Sequence, residues 1–146
     1  MKSLLTSNGH VTYSPLGKEP GSTTCNGHVI FVGAGPGQPD LLTVRATRAL
    51  EQANVVIYDQ LVSPAVLNLI QPDAQKISLA EILDGSTGKD VGQIIGKCLA
   101  QHATDSRNVV RLKGGDPTIF ARLREEIEPL NKYSISFEII PGITSA

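Results

Sequence analysis

No apolar run in the chain approaches the ~20 residues needed to cross a bilayer. No charge of either sign dominates either: 13 Lys and Arg stand against 14 Asp and Glu, a formal net charge of -1. The first absence argues against a membrane span, and the second leaves no field to draw the chain to nucleic acid or an anionic bilayer. Cysteine is scarce, with 2 in 146 residues. Cys25 and Cys98 form neither a CxxC pair nor a Cys/His set at metal spacing, so both read as free thiols of a reducing compartment and no metal is expected. Between Met1 and Ser7 there is one Lys and only Leu4-Leu5 as an apolar patch, short of the ~7–15 residues of a secretory signal core. The GxxxxGK[ST] phosphate loop is missing as well. Together these absences suggest a cytoplasmic protein with no membrane or nucleic-acid partner.

What is present is enough for one folded domain. The chain is 40% hydrophobic and 18% charged, and at this length about two thirds of the unfolded surface can be buried. Residues 1–27 are rich in Ser, Thr, Asn, Gly and Pro with neither a period of 2 nor one of 3.6, and are expected to be a disordered leader. From His28 the pattern changes. Val29 to Val32 is a continuous β-branched and aromatic run that suits a strand buried on both faces. Helical spacing follows over Asp40 to Ala53, then a strand over Asn54 to Tyr58, a short helix over Pro64 to Ile70 and a strand over Ala74 to Leu79. The alternation continues with a helix from Asp90 to His102, a strand from Asn108 to Leu112, a helix from Pro117 to Leu130 closed by Pro129 and Asn131, and a strand from Ile135 to Ile140. Strands alternating with helices imply parallel pairing. The expected fold class is α/β, with an open, mainly parallel five-stranded sheet and flanking helices over residues 28–146.

In such sheets the ligand crevice lies beyond the carboxyl ends of the strands. The segments there are Gly33 to Gln38, Asp59 to Ser63, Ala80 to Asp84, Lys113 to Pro117 and Pro141 to Ala146. Three of them are rich in Gly and Pro, which either bring backbone close to a ligand or simply make turns. Gly33-Ala34-Gly35-Pro36-Gly37 suggests the dinucleotide fingerprint GxGxxG, with Asp59 near the expected ribose carboxylate. The match fails where Gln38 replaces the last small residue and where Pro36 removes an N–H. A nicotinamide-dependent oxidoreductase therefore stands only as an alternative. Asp59 is the best candidate for a general base, or is a turn carboxylate bonded to nearby amides. Asp116, in Lys113-Gly114-Gly115-Asp116-Pro117, can accept hydrogen bonds from a ligand or cap the helix that Pro117 would begin. Thr144 and Ser145 contact a ligand or start a further helix. His10, His28 and His102 have no partner suggesting catalysis. The run Arg122-Leu123-Arg124-Glu125-Glu126 reads as a solvated helix face.

Taken together, four motifs in order resemble the tetrapyrrole methylases, and among them the uroporphyrinogen-III C-methyltransferase group. They are Val32-Gly33-Ala34-Gly35-Pro36-Gly37 with Pro39-Asp40-Leu41-Leu42-Thr43; Tyr58-Asp59-Gln60-Leu61-Val62-Ser63; Val110-Arg111-Leu112-Lys113-Gly114-Gly115-Asp116-Pro117; and Pro141-Gly142-Ile143-Thr144-Ser145-Ala146. The resemblance implies two α/β domains with S-adenosylmethionine held between them, S-adenosylhomocysteine as product, and a homodimer of the complete protein. Residues 28–146 would be the first domain, with the second absent. Carried over by position, Pro36, Gly114, Gly115, Asp116, Ile119, Thr144 and Ser145 would line the cofactor site and Asp59 would accept a proton. The reaction implied is methylation of uroporphyrinogen III towards precorrin-2, for sirohaem and cobalamin.

The chain departs from the family pattern at several places. Ala80-Glu81-Ile82 stands where Gly-Lys-Arg is common, so a carboxylate replaces the lysine often assigned as proton donor. Gln60 replaces an Arg, Gln38 an Asp, and Ala121-Arg122-Leu123-Arg124 a Gly-Arg-Gly-Gly. The expectation is that this chain alone binds the cofactor weakly and turns over poorly. A non-catalytic binding or assembly module derived from such an enzyme is the alternative that Glu81 favours.

Overall fold

The structure is a computed structural model that describes residues 2–7, 10–15, 27–85, 91–104, 107–117 and 123–144. The β-branched and apolar runs become five strands: β3 (His28–Gly33), β4 (Val55–Tyr58), β5 (Gln75–Ser78), β6 (Asn108–Lys113) and β7 (Ser136–Ile140). Their pairing is parallel throughout, in the spatial order β7-β3-β6-β4-β5. The five parallel strands read from the sequence are thus all present. Because β6 and β7 lie on opposite sides of β3, the loops leaving β3, β6 and β7 are immediate neighbours at the carboxyl end.

Two further strands extend the sheet. β1 (Lys2–Ser7) and β2 (His10–Pro15) pair antiparallel, and β2 pairs antiparallel with β7 through Val11↔Ile139, Thr12↔Glu138 and Tyr13↔Phe137. Lys2–Ser7 and His10–Pro15 fall within the stretch expected to be a disordered leader; residues 1, 8–9 and 16–26 of it lie outside the described residues. A strand at a sheet edge leaves unpaired backbone groups, and a strand that covers it needs no long apolar period to do so. Within His10–Pro15, Val11 and Tyr13 do alternate with Thr12 and Ser14.

The helices are α1 (Val44–Gln52), α2 (Pro64–Leu67), α3 (Leu79–Leu83), α4 (Val91–Ala103) and α5 (Leu123–Lys132). Helix α1 starts later than its apolar spacing suggests. Pro39–Leu41 forms a 3-10 turn, and the Thr43 hydroxyl then accepts the Ala46 N–H at 3.0 Å as the N-cap. Ser63 caps α2 in the same way, accepting from Val66 N–H at 3.3 Å. Helix α3 was not foreseen; it follows β5 directly. Helix α5 runs through Pro129 to Lys132 instead of closing there.

Two apolar layers flank the sheet. On one face Val32, Val56, Val110, Leu112 and Ile140 pack with Ala46, Ala49 and Leu50 of α1 and Val66 of α2. On the other, Val29, Phe31, Val55, Ile57, Val109 and Phe137 pack with Ile95, Leu99 and Ala103 of α4 and Ile127 and Leu130 of α5. Phe31 and Phe137 meet edge to face with ring centroids 5.9 Å apart. Helices α4 and α5 approach closely along Gly92 and Gly96. A Cβ on Gly96 would stand 2.4 Å from the Glu126 carbonyl oxygen and 2.7 Å from Pro129 Cγ. Pro129 is tolerated inside α5 where its ring fills this contact. Among the described residues no helix is long and apolar enough to cross a membrane.

Candidate functional site

Three loops are stitched together by backbone at the carboxyl end of the sheet. Ala34 N–H donates to the Lys113 carbonyl at 2.6 Å, and Gly35 and Gly115 exchange two backbone hydrogen bonds of 3.1 and 3.0 Å. The loop after β7 lies directly on them: a Cβ on Gly142 would stand 2.3 Å from the Gly115 carbonyl oxygen and 2.8 Å from Gly33 Cα. Gly33 and Gly142 are therefore needed for contact between loops, which neither sequence reading of these glycines, ligand approach or simple turn, had considered. Gly115 has a φ of +68°, which disfavours any side chain. Gly114 differs, because a Cβ there would meet nothing within 4 Å. It is an exposed position facing open space.

The loop after β4 joins the same end. Asp59 N–H donates to the Leu112 carbonyl at 3.2 Å, and Ser63 Oγ donates to the Gly37 carbonyl at 2.6 Å. The Asp59 carboxylate has two partners: Oδ1 lies 2.8 Å from Arg111 Nη2, and Oδ2 accepts Gly114 N–H at 3.2 Å. Asp59, Gly114, Gly115 and Asp116 thus lie on directly connected segments. Thr144 follows close by, with its Cα 4.0 Å from where a Gly115 Cβ would be. Pro36 and Thr144 are exposed, while Asp116 is half-buried. Ile119 and Ser145 lie outside the described residues. Glu81 is not part of this group: it is exposed on α3 beyond the edge strand β5, with β4 between β5 and β6.

Beneath the loop is a set of charges that sequence reasoning missed. Arg111, Lys113 and Glu126 are 2%, 3% and 1% exposed. Glu126 Oε1 lies 2.6 Å from Arg111 Nε, and Lys113 Nζ donates to Glu126 Oε2. Arg111 Nη1 also donates to the Leu112 carbonyl at 3.1 Å. Burial lowers the pKa of Lys113 from the usual 10.5, with the charge of Glu126 opposing that shift. Glu126 is the correction to the solvated-face reading of residues 122–126, since its side chain turns into the sheet. The signal was available: Arg111 sits inside a strand whose neighbours are apolar on both faces, so a buried counter-charge was required.

The geometry is that of joined loops at the carboxyl end of a parallel sheet, with a carboxylate anchored beside a Gly-Gly-Asp turn. The model of the Tetrapyrrole (Corrin/Porphyrin) Methylases matches residues 28–146. The chain belongs to the tetrapyrrole methylase family. It is 49% identical over 120 residues to a siroheme synthase of Nitrosomonas europaea, covering 82% of this chain and 25% of that protein. A siroheme synthase of Hahella chejuensis is 45% identical over 130 residues, covering 89% and 27%. Among solved structures, a uroporphyrin-III C-methyltransferase from Thermus thermophilus complexed with S-adenosylhomocysteine superposes with a TM-score of 0.66 at 43% identity, covering 82% of this chain and 46% of that one. A cobalt precorrin-4 methyltransferase gives 0.68 at 31% identity, covering 88% and 50%. The chain therefore spans about a quarter of the siroheme synthases and about half of the solved methyltransferases that it matches.

Proposed function

We propose that the crevice binds S-adenosylmethionine and that the complete protein, a cytoplasmic homodimer, methylates pyrrole carbons of uroporphyrinogen III towards precorrin-2. The observation that carries this reading is the joined set of loops, in which Gly33, Gly115 and Gly142 close against one another and leave Gly114 open to a ligand. The residues fit such a cofactor. Open space beside Gly114 accepts a flat group, and the Asp116 carboxylate suits ribose hydroxyls or an ammonium group. Pro36, Ile119, Thr144 and Ser145 complete the lining in this reading.

When bound, S-adenosylmethionine supplies an electrophilic methyl group on sulfur. The chain's own work is then to align the reactants, exclude water and take up a proton. Asp59 is our candidate for the proton acceptor. Arg111 and Gly114 each engage one of its oxygens, and a carboxylate retains further lone pairs for a substrate proton. With 25% of its side chain exposed, Asp59 is open to the crevice.

The test is calorimetric titration of the chain with S-adenosylhomocysteine beside NADH. Selective binding of S-adenosylhomocysteine, weakened about tenfold or more in Asp116→Ala, is the expected result. Binding of NADH in preference would replace this reading with the nicotinamide one, and no binding of either would mean that this part of the protein is insufficient or repurposed. Glu81 favours a second reading, a non-catalytic module. Glu81→Lys in the complete protein separates the two: a large gain in precorrin-2 formation supports an enzyme, and no gain supports the module.

A further inference from the structure

We infer that Glu126 is a positioning residue for the Gly114–Asp116 loop: it holds the Arg111 guanidinium, which fixes Asp59, which in turn fixes the Gly114 amide. This rests on the proposal that the loop is part of the cofactor site. Each link is a direct contact. Glu126 Oε1 to Arg111 Nε is 2.6 Å, Arg111 Nη2 to Asp59 Oδ1 is 2.8 Å, and Asp59 Oδ2 to Gly114 N is 3.2 Å. The path runs from a side chain 1% exposed to an exposed backbone amide.

Stability alone does not account for such a set. Buried ion pairs are commonly no more stabilising than apolar residues of similar volume. The same sheet face is filled by Val29, Val55 and Val109 nearer its amino end, and Arg111 stands in register between Phe31 and Ile57, both apolar. On β6 charge enters this face at Arg111 and Lys113, the last two positions that point to it. Glu126 is itself held on a rigid support, because its backbone lies against Gly96 of α4 with no room for a Cβ between them. Both carboxylate oxygens are used, one on Arg111 and one on Lys113, which sets the orientation of the carboxylate as well as its place. Lys113 precedes Gly114 directly, so the second contact anchors the root of the same loop.

Amide hydrogen exchange, followed by NMR on the full chain, tests this without requiring any ligand. In Glu126→Gln the Gly114 amide should exchange roughly tenfold faster, the scale of losing one charge-assisted bond, while the amides of Phe31 and Val110 keep their protection. Asp59→Ala should release Gly114 to the same extent. If Glu126→Gln unfolds or loses core protection, Glu126→Gln with Lys113→Met removes the excess buried positive charge, and Gly114 is read there. Unchanged Gly114 exchange in either folded variant overturns the inference. Titration with S-adenosylhomocysteine should show a matching loss of affinity. If the unaltered chain does not bind it while Gly114 responds as expected, the proposed cofactor fails and the positioning role stands.

Discussion

Along β6, Val110 and Leu112 point to the α1/α2 face and pack with apolar partners such as Leu50 and Val66. The alternate residues Val109, Arg111 and Lys113 point to the α4/α5 face, where the core is apolar at Val109 and ionic from Arg111 onward. The two faces share strands, twist and burial. They differ because α5 presents Glu126 to the carboxyl end of the sheet, whereas α1 presents alanines and a leucine. On β6 one face contributes apolar packing; the other packs apolar at Val109 and holds the Gly114 loop through Arg111 and Lys113.

The largest effects should come from breaking each face in turn. Glu126→Ala leaves two buried cations with Asp59 as their remaining anion, and should cost about 3–5 kcal/mol in denaturant unfolding. Leu112→Ala on the opposite face should cost a similar ~2–5 kcal/mol through its cavity. The faces then separate by rescue. Adding Lys113→Met should recover on the order of 1–2 kcal/mol in the Glu126→Ala background, and nothing in the Leu112→Ala background.

A smaller effect distinguishes the glycines above the sheet. Gly142→Ala places a Cβ 2.3 Å from a backbone carbonyl oxygen that cannot rotate away, so about 1–3 kcal/mol of stability should be lost, together with S-adenosylhomocysteine binding. Gly114→Ala meets open space. Its stability should stay within about 0.5 kcal/mol of the original, while calorimetry shows weaker binding.

The smallest effect is a pH dependence confined to the ionic face. The folded pKa of Lys113 lies below its unfolded value of 10.5. Between the two values the unfolded chain holds the extra proton, so the contribution of Lys113 to stability rises with pH across that window. The stability difference between the original chain and Lys113→Met should therefore shift towards the original chain as the pH rises towards 10.5. A difference that is flat with pH would show that Lys113 keeps its ordinary pKa in the folded state.

Much of this was legible in the chain. The β-branched runs at Val29–Val32, Asn54–Tyr58 and Asn108–Leu112 become parallel strands because burial on both faces demands uninterrupted apolar residues. Asp59 and Gly114 to Asp116 could be singled out because strand-end loops in such sheets converge on one crevice. The hairpin over Lys2–Ser7 and His10–Pro15 was not legible, since its reason for existing is the open edge of β7, more than 100 residues away. Pro129 looked like a terminator because its fit depends on Gly96 of another helix.

The sequence by itself determined the order of the five parallel strands and the set of loops at their carboxyl ends, because local periodicity and glycine placement are properties of neighbouring residues. Tertiary structure alone decided which glycines touch one another, that Glu126 is buried, and that Asp59 is bonded to both Arg111 and Gly114. Each of these depends on distant segments meeting at ångström range, where one Cβ or one unpaired charge determines whether they can pack.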